Sequence, residues 1–133
     1  MKINLVSIVI PAYNEEQNIA WTLESIKLQD YQGKTELIVV DNNSTDRTGE
    51  IAKDFGAQVL LEKNKGTRFA YQKGMSEAKG EVILVTNADS IVPKNWVSSI
   101  IAVFQQDPEI VGVGTKVGFY DVSPPVTIIF NIR

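Results

Sequence analysis

The chain has 133 residues, of which 44% are hydrophobic, and a formal net charge of -3, which indicates one globular domain with a single hydrophobic core. The negative charge disfavours nucleic acid as a partner, because binding by bulk electrostatics requires a basic surface. The absence of cysteine and histidine excludes disulfides, thiolate catalysis and His-ligated zinc, and leaves carboxylate, amide and hydroxyl oxygens, which suit Mg²⁺ or Mn²⁺.

Hydrophobic runs alternate with helical patterns along the chain, which predicts parallel βαβ units. This order predicts an α/β fold with three α/β/α layers around a mostly parallel, doubly wound sheet. The predicted elements are a strand over 6–12, a helix capped by Asn14 or Asn18, a strand over 36–40, a helix from Ser44 or Thr45 to about Phe55, a strand over 58–61, a helix between Gly66 and Gly80, a strand over 81–86, a helix over 93–106 and a strand over 110–116.

Two sets of residues predict how the helices pack. Ala70, Gly74 and Ala78 recur every four residues, which predicts a helix face of small side chains that packs closely on a sheet or another helix. Trp21 and Trp96 are expected in the core or at its rim.

Each of the first four strands is followed by a polar or glycine-containing turn, with the sequences PAYNEE, DNNSTD, KNKGTR and NADS. Because the carboxyl ends of parallel strands meet at one edge of a sheet, the four turns are expected to line one cleft. The turns supply an aromatic ring, carboxylates, amides, backbone N–H groups and cations, which suit a nucleoside diphosphate.

Tyr13 and Asp41 are the candidates for the nucleoside. The Tyr13 ring could stack on a base, and the Asp41 carboxylate could accept a hydrogen bond from a base N–H or a ribose hydroxyl. A structural role is equally open for Tyr13, since an aromatic residue often ends a strand. Asp46 and Thr48, in the same turn as Asp41, are expected to stabilise a helix N-terminus rather than to contact a ligand.

Four residues are candidates for the diphosphate. Gly66 permits close approach of the backbone, Lys65 and Arg68 lie near a helix N-terminus that favours anions, and Asp89 could hold a divalent ion on the phosphates. Each has a structural alternative: solvated surface cations at 65 and 68, an ordinary turn glycine at 66, and an Asx turn at Asp89. The expected convergence of four turns on one edge favours ligand binding for the set.

The segments VSIVIPAYNEEQNI, LIVVDNNSTDRTGEIA, NKGTRFAYQKGMSEAKGEVILVTNADS and VPKNWV resemble, in order and spacing, the N-terminal half of family 2 glycosyltransferases, which are inverting enzymes of the GT-A fold. The resemblance covers about residues 4–116. It implies a GT-A core, similar to nucleotide-diphospho-sugar transferases, over 1–118, and over 119–133 the truncated start of an acceptor-side or membrane-associated region. It also implies a UDP- or GDP-sugar donor, Mn²⁺ or Mg²⁺, and a hydroxyl acceptor of unknown class, whether glycan, lipid or protein.

The resemblance also implies roles for single residues. Asp41 matches the first acid of the Asp-Asp-Gly-Ser block that binds the base or ribose, and Asp89 matches the last acid of the Asp-X-Asp motif that binds the metal. Asn87 replaces the first acid of that motif, so a weaker metal set of Asp89 and Asn87 is expected. The implied nucleotide-sugar-binding residues are Pro11, Ala12, Tyr13, Glu15, Asp41, Asn43, Lys65, Gly66, Arg68, Asn87 and Ala88.

Further departures from the family pattern lower the negative charge of the expected cleft. Asn42 and Asn43 stand in place of the second acid and the glycine of the Asp-Asp-Gly-Ser block, which together with Asn87 removes two negative charges. Separately, Tyr71-Gln72 stand where Arg-Asn is common, and Arg68 could take the place of that arginine. An amide oxygen can bind a hard ion but contributes no charge. More of the diphosphate charge is therefore expected to fall on Lys65 or Arg68.

Inverting transfer requires a general base that deprotonates the acceptor hydroxyl. In the family this carboxylate lies well downstream of the metal motif, so it is expected to be absent from this chain. Asp121 is the only acid after Glu109 and is expected to be a turn residue. The chain is therefore interpreted as a glycosyltransferase donor domain, with inactivity in isolation as one consequence.

Two alternative functions are open. One is a non-catalytic module that binds a nucleotide sugar or a protein partner. The other is a sugar-phosphate nucleotidyltransferase, which would be expected to carry a glycine-rich and basic loop after the first strand, where PAYNEEQN has neither. The expected location is the cytoplasm or the cytoplasmic face of a membrane. The apolar C-terminal segment VTIIFNIR suggests membrane association or self-association.

Overall fold

The computed structural model describes residues 2–114 and two short strands at 117–118 and 127–128. Its main sheet has four parallel strands in the order β3-β2-β1-β4. The strands are β1 (Val6–Ala12), β2 (Thr35–Asp41), β3 (Gln58–Leu61) and β4 (Val82–Val85). The helices are α1 (Ile19–Lys27), α2 (Thr48–Asp54), α3 (Thr67–Glu77) and α4 (Trp96–Gln106).

The sheet lies between two layers of helices, which confirms the predicted three-layer fold. All seven residues of β1 are buried, as expected for a central strand that is covered on both faces. On one face, β1 shares a core with Ile19 of α1, Ala52 of α2 and Ile100 of α4. On the other face, Val9 of β1 packs with Ala70 of α3.

The small-residue face of α3 lies against β1 and β2, as its spacing predicted. Gly74 is buried, and a Cβ atom there would lie 2.4 Å from Cγ1 of Val9 and 3.0 Å from Cγ2 of Val40. We expect Gly74→Ala to lower the free energy of unfolding by about 1–3 kcal/mol through overpacking, although alanine favours the helix. Urea denaturation measures the change. Gly112→Ala is the control, because nothing lies within 4 Å of its Cβ position, and equal effects of the two changes would contradict the packing argument.

The first two helices differ in detail from their predictions. Asn18 occupies the N-cap position of α1 but makes no capping hydrogen bond with its side chain, and its amide donates to Glu15 instead. The helix predicted to begin at Ser44 or Thr45 begins at Thr48, because residues 44–47 bond to the turn after β1. Helix formation there is displaced by tertiary hydrogen bonds.

The two tryptophans have different environments. Trp96 is partly buried against the core, as expected. Trp21 is 68% exposed, so its expected burial is wrong. The buried face of α1 contains Ile19, Leu23 and Ile26, and Trp21 lies on the other side of that helix. Its side chain lines a shallow surface cavity with Ile91 and other residues.

The strand predicted over 110–116 is wrong for 110–114, which the structure shows as irregular chain, and 115–116 lie outside the described residues. A turn at Asp107, closed by the Ile110 N–H at 3.2 Å, precedes the segment. In the part of the chain that is described, the segment forms no ladder with β4 and runs past a cavity of about 560 Å³ beside Ile83 and Val85. Without a paired neighbour, an apolar run does not become a strand.

The C-terminal region contributes one described feature, an antiparallel pair of β5 (Val117–Gly118) and β6 (Thr127–Ile128). Asp121 and most of the apolar segment that follows it lie outside the described residues. Among the residues that the structure does describe, no helix has both the length and the apolar character needed to cross a bilayer.

The Glu81 carboxylate joins the chain before β4 to the N-terminal segment. It accepts hydrogen bonds from the Asn4 side chain at 2.7 Å and from the Leu5 N–H at 2.9 Å. These bonds lower the pKa of Glu81 to about 2, with the Asn4 side chain as the largest cause. The folded-state pKa lies below the ordinary value of 4.5, so this group stabilises the fold above that pH, and the contribution is lost as pH falls toward 2.

We therefore expect the free energy of unfolding to depend less on pH below about pH 6 in Glu81→Gln than in the wild type. The free energy of unfolding, measured between about pH 6 and about pH 3, should fall less steeply in the variant than in the wild type. Glu77→Gln, an exposed change at the end of α3, is the control. Parallel pH profiles for Glu81→Gln and the wild type would contradict the role of this carboxylate.

Candidate functional site

The carboxyl ends of the four parallel strands, and the polar turns that follow them, lie along one edge of the sheet, as predicted. The chain proceeds from β1 outward to β3 and then returns to place β4 on the other side of β1. The space beyond β1 and β4 is therefore the topological switch point, where α/β folds bind ligands. A cleft of about 240 Å³ lies there. It is lined by Pro11, Ala12, Tyr13, Glu15, Asn42, Thr67, Ala70, Asn87, Ala88 and Asp89.

Seven of the residues predicted from the sequence meet in this cleft. Pro11 and Ala12 form the buried end of β1, and the Tyr13 ring beyond them is 48% exposed. Glu15 lies in the same turn. The remaining three, at 87–89, follow β4 and face this turn across the cleft.

The other predicted residues lie outside the cleft lining. The Asp41 carboxylate accepts a hydrogen bond from the Ser44 N–H at 2.9 Å and packs against Gly49. The Arg68 guanidinium lies over the Phe69 ring, 5.0 Å from its centre, and Lys65 is exposed. Asn43 and Gly66 adopt positive φ angles of 61° and 134° in the turns beside the cleft.

Three lining residues were missed as site residues by the sequence analysis: Asn42, Thr67 and Ala70. Asn42 is the most informative, since its buried side chain uses both its donors and its acceptor. Its amide donates to the carbonyls of Glu62 and Asn64, at 3.0 and 2.8 Å, and its oxygen accepts from the Gly66 N–H at 3.0 Å. Asn42 therefore holds the turn between β3 and α3 against the end of β2. In the sequence, Asn42 could have been recognised as the first of two asparagines that directly follow a buried strand.

Thr67 is the first residue of α3 and follows Gly66, so the cleft wall includes the N-terminus of an 11-residue helix. The free N–H groups and the dipole at such an end favour anions. The sequence signal for this helix end was the glycine before it.

The turns after β1 and β2 are joined by reciprocal hydrogen bonds. The Asn14 N–H donates to the Ser44 hydroxyl at 2.9 Å, and the Asn14 side chain accepts from the Thr45 N–H at 2.8 Å. The Glu15 N–H donates to the Thr48 hydroxyl at 2.9 Å. Asn14 has a φ of 50°, a conformation that asparagine adopts more readily than most residues. These bonds fix the backbone on both sides of Tyr13.

Asp46 stabilises the same junction. It accepts hydrogen bonds from the N–H and the hydroxyl of Thr48 and from the N–H of Glu16. Burial raises the pKa of Asp46, but the bonds from Thr48 and Glu16 outweigh it, so the pKa lies below its usual value. This confirms that Asp46 and Thr48 stabilise the start of a helix.

The turn after β4 is anchored through its middle residue. Ala88 is buried, and its carbonyl accepts a hydrogen bond from the buried Thr22 hydroxyl of α1 at 2.8 Å. Asn87 and Asp89, on either side of it, are exposed and line the cleft. Asn87 accepts a hydrogen bond at its Oδ1 from the Tyr71 hydroxyl at 3.2 Å. The anchor therefore holds the middle of a turn whose two polar side chains both line the cleft.

The charges that line the cleft are the carboxylates of Glu15 and Asp89, and the described lining contains no lysine or arginine. A nucleoside diphosphate in this cleft would therefore meet negative charge. No group of three His, Cys, Asp or Glu side chains among the described residues could hold a metal by itself. Mg²⁺ and Mn²⁺ can nevertheless bind through one carboxylate when phosphate oxygens and water complete the shell, and Asp89 fits that role.

The chain as a whole is similar to known proteins. Residues 7–128 match the family described as Glycosyl transferase family 2. The glycosyltransferase GlyG of Streptococcus pneumoniae is 37% identical over 90% of this chain. The chain spans 41% of the length of that relative.

Two solved structures share the fold. The Staphylococcus aureus protein TarS in complex with UDP superposes with a TM-score of 0.72 and 26% identity, over 76% of this chain and 32% of the other. A mannosyltransferase of Pyrobaculum calidifontis, in complex with GDP-Man and Mn²⁺, gives 0.73 and 27% identity over 83% of this chain and 34% of the other. In both cases this chain corresponds to about a third of the length of the other protein.

Proposed function

Because this chain belongs to glycosyl transferase family 2, we propose that its cleft binds the nucleoside diphosphate of a sugar donor together with a divalent ion. The observation that carries this proposal is the cleft at the switch point. Within it the Tyr13 ring, the Asp89 carboxylate and the N-terminus of α3 face one space. An aromatic ring suits the base, and the helix end suits the phosphates.

The nucleoside end of the donor belongs beside β1 and β2 in this proposal. The Tyr13 ring stacks on the base, while Pro11, Ala12 and Glu15 border it. Asp41 and Asn43 lie in the turn after β2, next to the lining residue Asn42. Support for this side comes from the hydrogen bonds that hold the turns after β1 and β2 together.

The diphosphate belongs between α3 and the turn after β4. Asp89 is the residue that would hold Mn²⁺ or Mg²⁺, and Gly66 lets the backbone approach the phosphates. When bound, such an ion offsets the negative charge of the diphosphate. Lys65 and Arg68 lie on α3 or just before it and add a positive field from outside the lining.

The complete protein is proposed to transfer the sugar, with inversion, to an acceptor hydroxyl. The chain supplies the donor side, where its residues bind and orient the nucleotide. The base that takes the acceptor proton is assigned outside the described residues, consistent with the chain spanning less than half of GlyG. The place of action is proposed to be the cytoplasm or the cytoplasmic face of a membrane, which fractionation of cells making the complete protein checks.

Calorimetric titration of the purified chain tests the proposal. UDP, GDP, CDP and dTDP are each titrated with and without Mn²⁺. We expect one nucleotide to bind and the ion to strengthen that binding. A chain that is folded by circular dichroism and binds none of the four would contradict the proposal and favour a non-catalytic, partner-binding module.

A further inference from the structure

The Asn87 side chain has one hydrogen-bond partner among the described residues. Its Oδ1 faces Tyr71, whose hydroxyl donates to it at 3.2 Å. Tyr71 lies in α3, outside the cleft lining, whereas Asn87 lines the cleft. The two ends of a carboxamide point in different directions, so with the oxygen engaged by Tyr71 the amide N–H groups of this lining residue are left for another partner. Among the described residues, no acceptor pairs with these N–H groups.

The two ends of the amide suit different ligands. A divalent ion binds an amide oxygen and is repelled by an N–H group, whereas a phosphate oxygen accepts from an N–H group. We infer that Asn87 donates a hydrogen bond to a phosphate oxygen of the bound nucleotide, rather than serving as a metal ligand, and that Tyr71 positions it. This revises the metal set expected from the sequence and rests on the proposed function.

The inference has an electrostatic consequence. The cleft lining carries two carboxylates, at Glu15 and Asp89, and a third at position 87 would increase the repulsion of a diphosphate. A neutral donor at position 87 instead gives the diphosphate one favourable contact that needs no metal. Nucleotide binding by this chain should therefore retain a metal-independent part.

The test compares nucleotide affinity with and without Mn²⁺ in the wild type and in Asn87→Asp. Without the ion, we expect the variant to bind at least about tenfold more weakly, since it loses a donor and gains a negative charge. With the ion, the new carboxylate becomes a second ligand and affinity should recover. The affinity ratio, defined as the affinity with Mn²⁺ divided by the affinity without it, should therefore rise by about tenfold or more.

Tyr71→Phe tests whether the Tyr71 hydroxyl positions the Asn87 amide, because the change removes the hydroxyl but keeps the packing of the ring. The freed amide can rotate, so metal-free affinity should fall several-fold and the affinity ratio should shift in the same direction as in Asn87→Asp. In the double variant, the loss of the Tyr71 hydroxyl should not lower metal-free affinity further, because no amide remains to position. Tyr31→Phe and Asn95→Asp make the same chemical changes outside the cleft lining and should leave the ratio unchanged.

Nuclear magnetic resonance supplies a direct readout of the amide. The side-chain N–H signals of Asn87, identified by their absence in Asn87→Asp, should move downfield when the nucleotide is added without metal. Wild-type binding with an unchanged affinity ratio in Asn87→Asp, or with unmoved amide signals, would overturn the inference alone. A wild-type chain that binds none of the four nucleotides would overturn the proposed function as well.

Discussion

Replacing Asn42 by alanine is expected to destabilise the folded chain by about 3 kcal/mol, because it leaves two carbonyls and one N–H in a partly buried turn without partners. Those groups belong to Glu62, Asn64 and Gly66. The same change should weaken nucleotide binding at least about tenfold, since Asn42 also forms part of the cleft wall. Urea denaturation and calorimetric titration measure the two effects.

Two further variants make this test specific. Asn64→Ala removes an exposed side chain from the same turn but keeps its carbonyl, so stability should change by no more than about 0.5 kcal/mol. Asn42→Asp keeps the shape but turns both donors into an acceptor facing two carbonyls, so it should also destabilise. If Asn42→Ala and Asn64→Ala had similar small effects, the turn would be held by other contacts.

Replacing Asp89 by alanine is expected to remove the strengthening of nucleotide binding by Mn²⁺. Asp89 is the carboxylate of the turn after β4, and the described residues offer no acidic cluster to take its place. The affinity without the ion should stay the same or rise slightly, because the change removes a negative charge from the cleft. Calorimetric titration with and without Mn²⁺ measures the ratio.

The matched control for this variant is Asp54→Ala, which removes an exposed carboxylate at the end of α2. It should leave the affinity ratio as in the wild type. If Asp89→Ala still bound nucleotide more tightly with the ion, Glu15 or a group outside the described residues would be the metal ligand. The present assignment of Asp89 would then be wrong.

The main sheet could be predicted from the sequence because its strands are marked locally. β1 is an unbroken apolar run, β2 ends at Asp41, and β4 is a short apolar run followed two residues later by Asn87; sheets disfavour Asp and Asn. Parallel order then places all four turns at one edge without any knowledge of side-chain contacts. Tyr13 and Asp89, which line the cleft, could therefore be named from the residues alone, whereas the five lining residues at 11, 12, 15, 87 and 88 were named through the resemblance to the family.

The remaining features depend on contacts between distant segments, which no local pattern reports. Asn42 gains its importance from carbonyls 20 and 22 residues away along the chain, at Glu62 and Asn64. The late start of α2 results from hydrogen bonds to Asn14 and its neighbours. The segment 110–114 has a strand-like composition, yet a strand also needs a ladder partner, which composition cannot supply.

The sheet order also has a kinetic consequence. β1 and β4 are neighbours in space, but they are the first and fourth strands along the chain, so their pairing closes the longest loop in the main sheet. Contacts between such distant segments carry a high entropic cost and tend to limit the folding rate. The cleft needs this pairing, so partly folded chains with only β1, β2 and β3 in place lack it. In a refolding experiment, recovery of nucleotide binding should therefore follow, and never precede, recovery of helical circular dichroism.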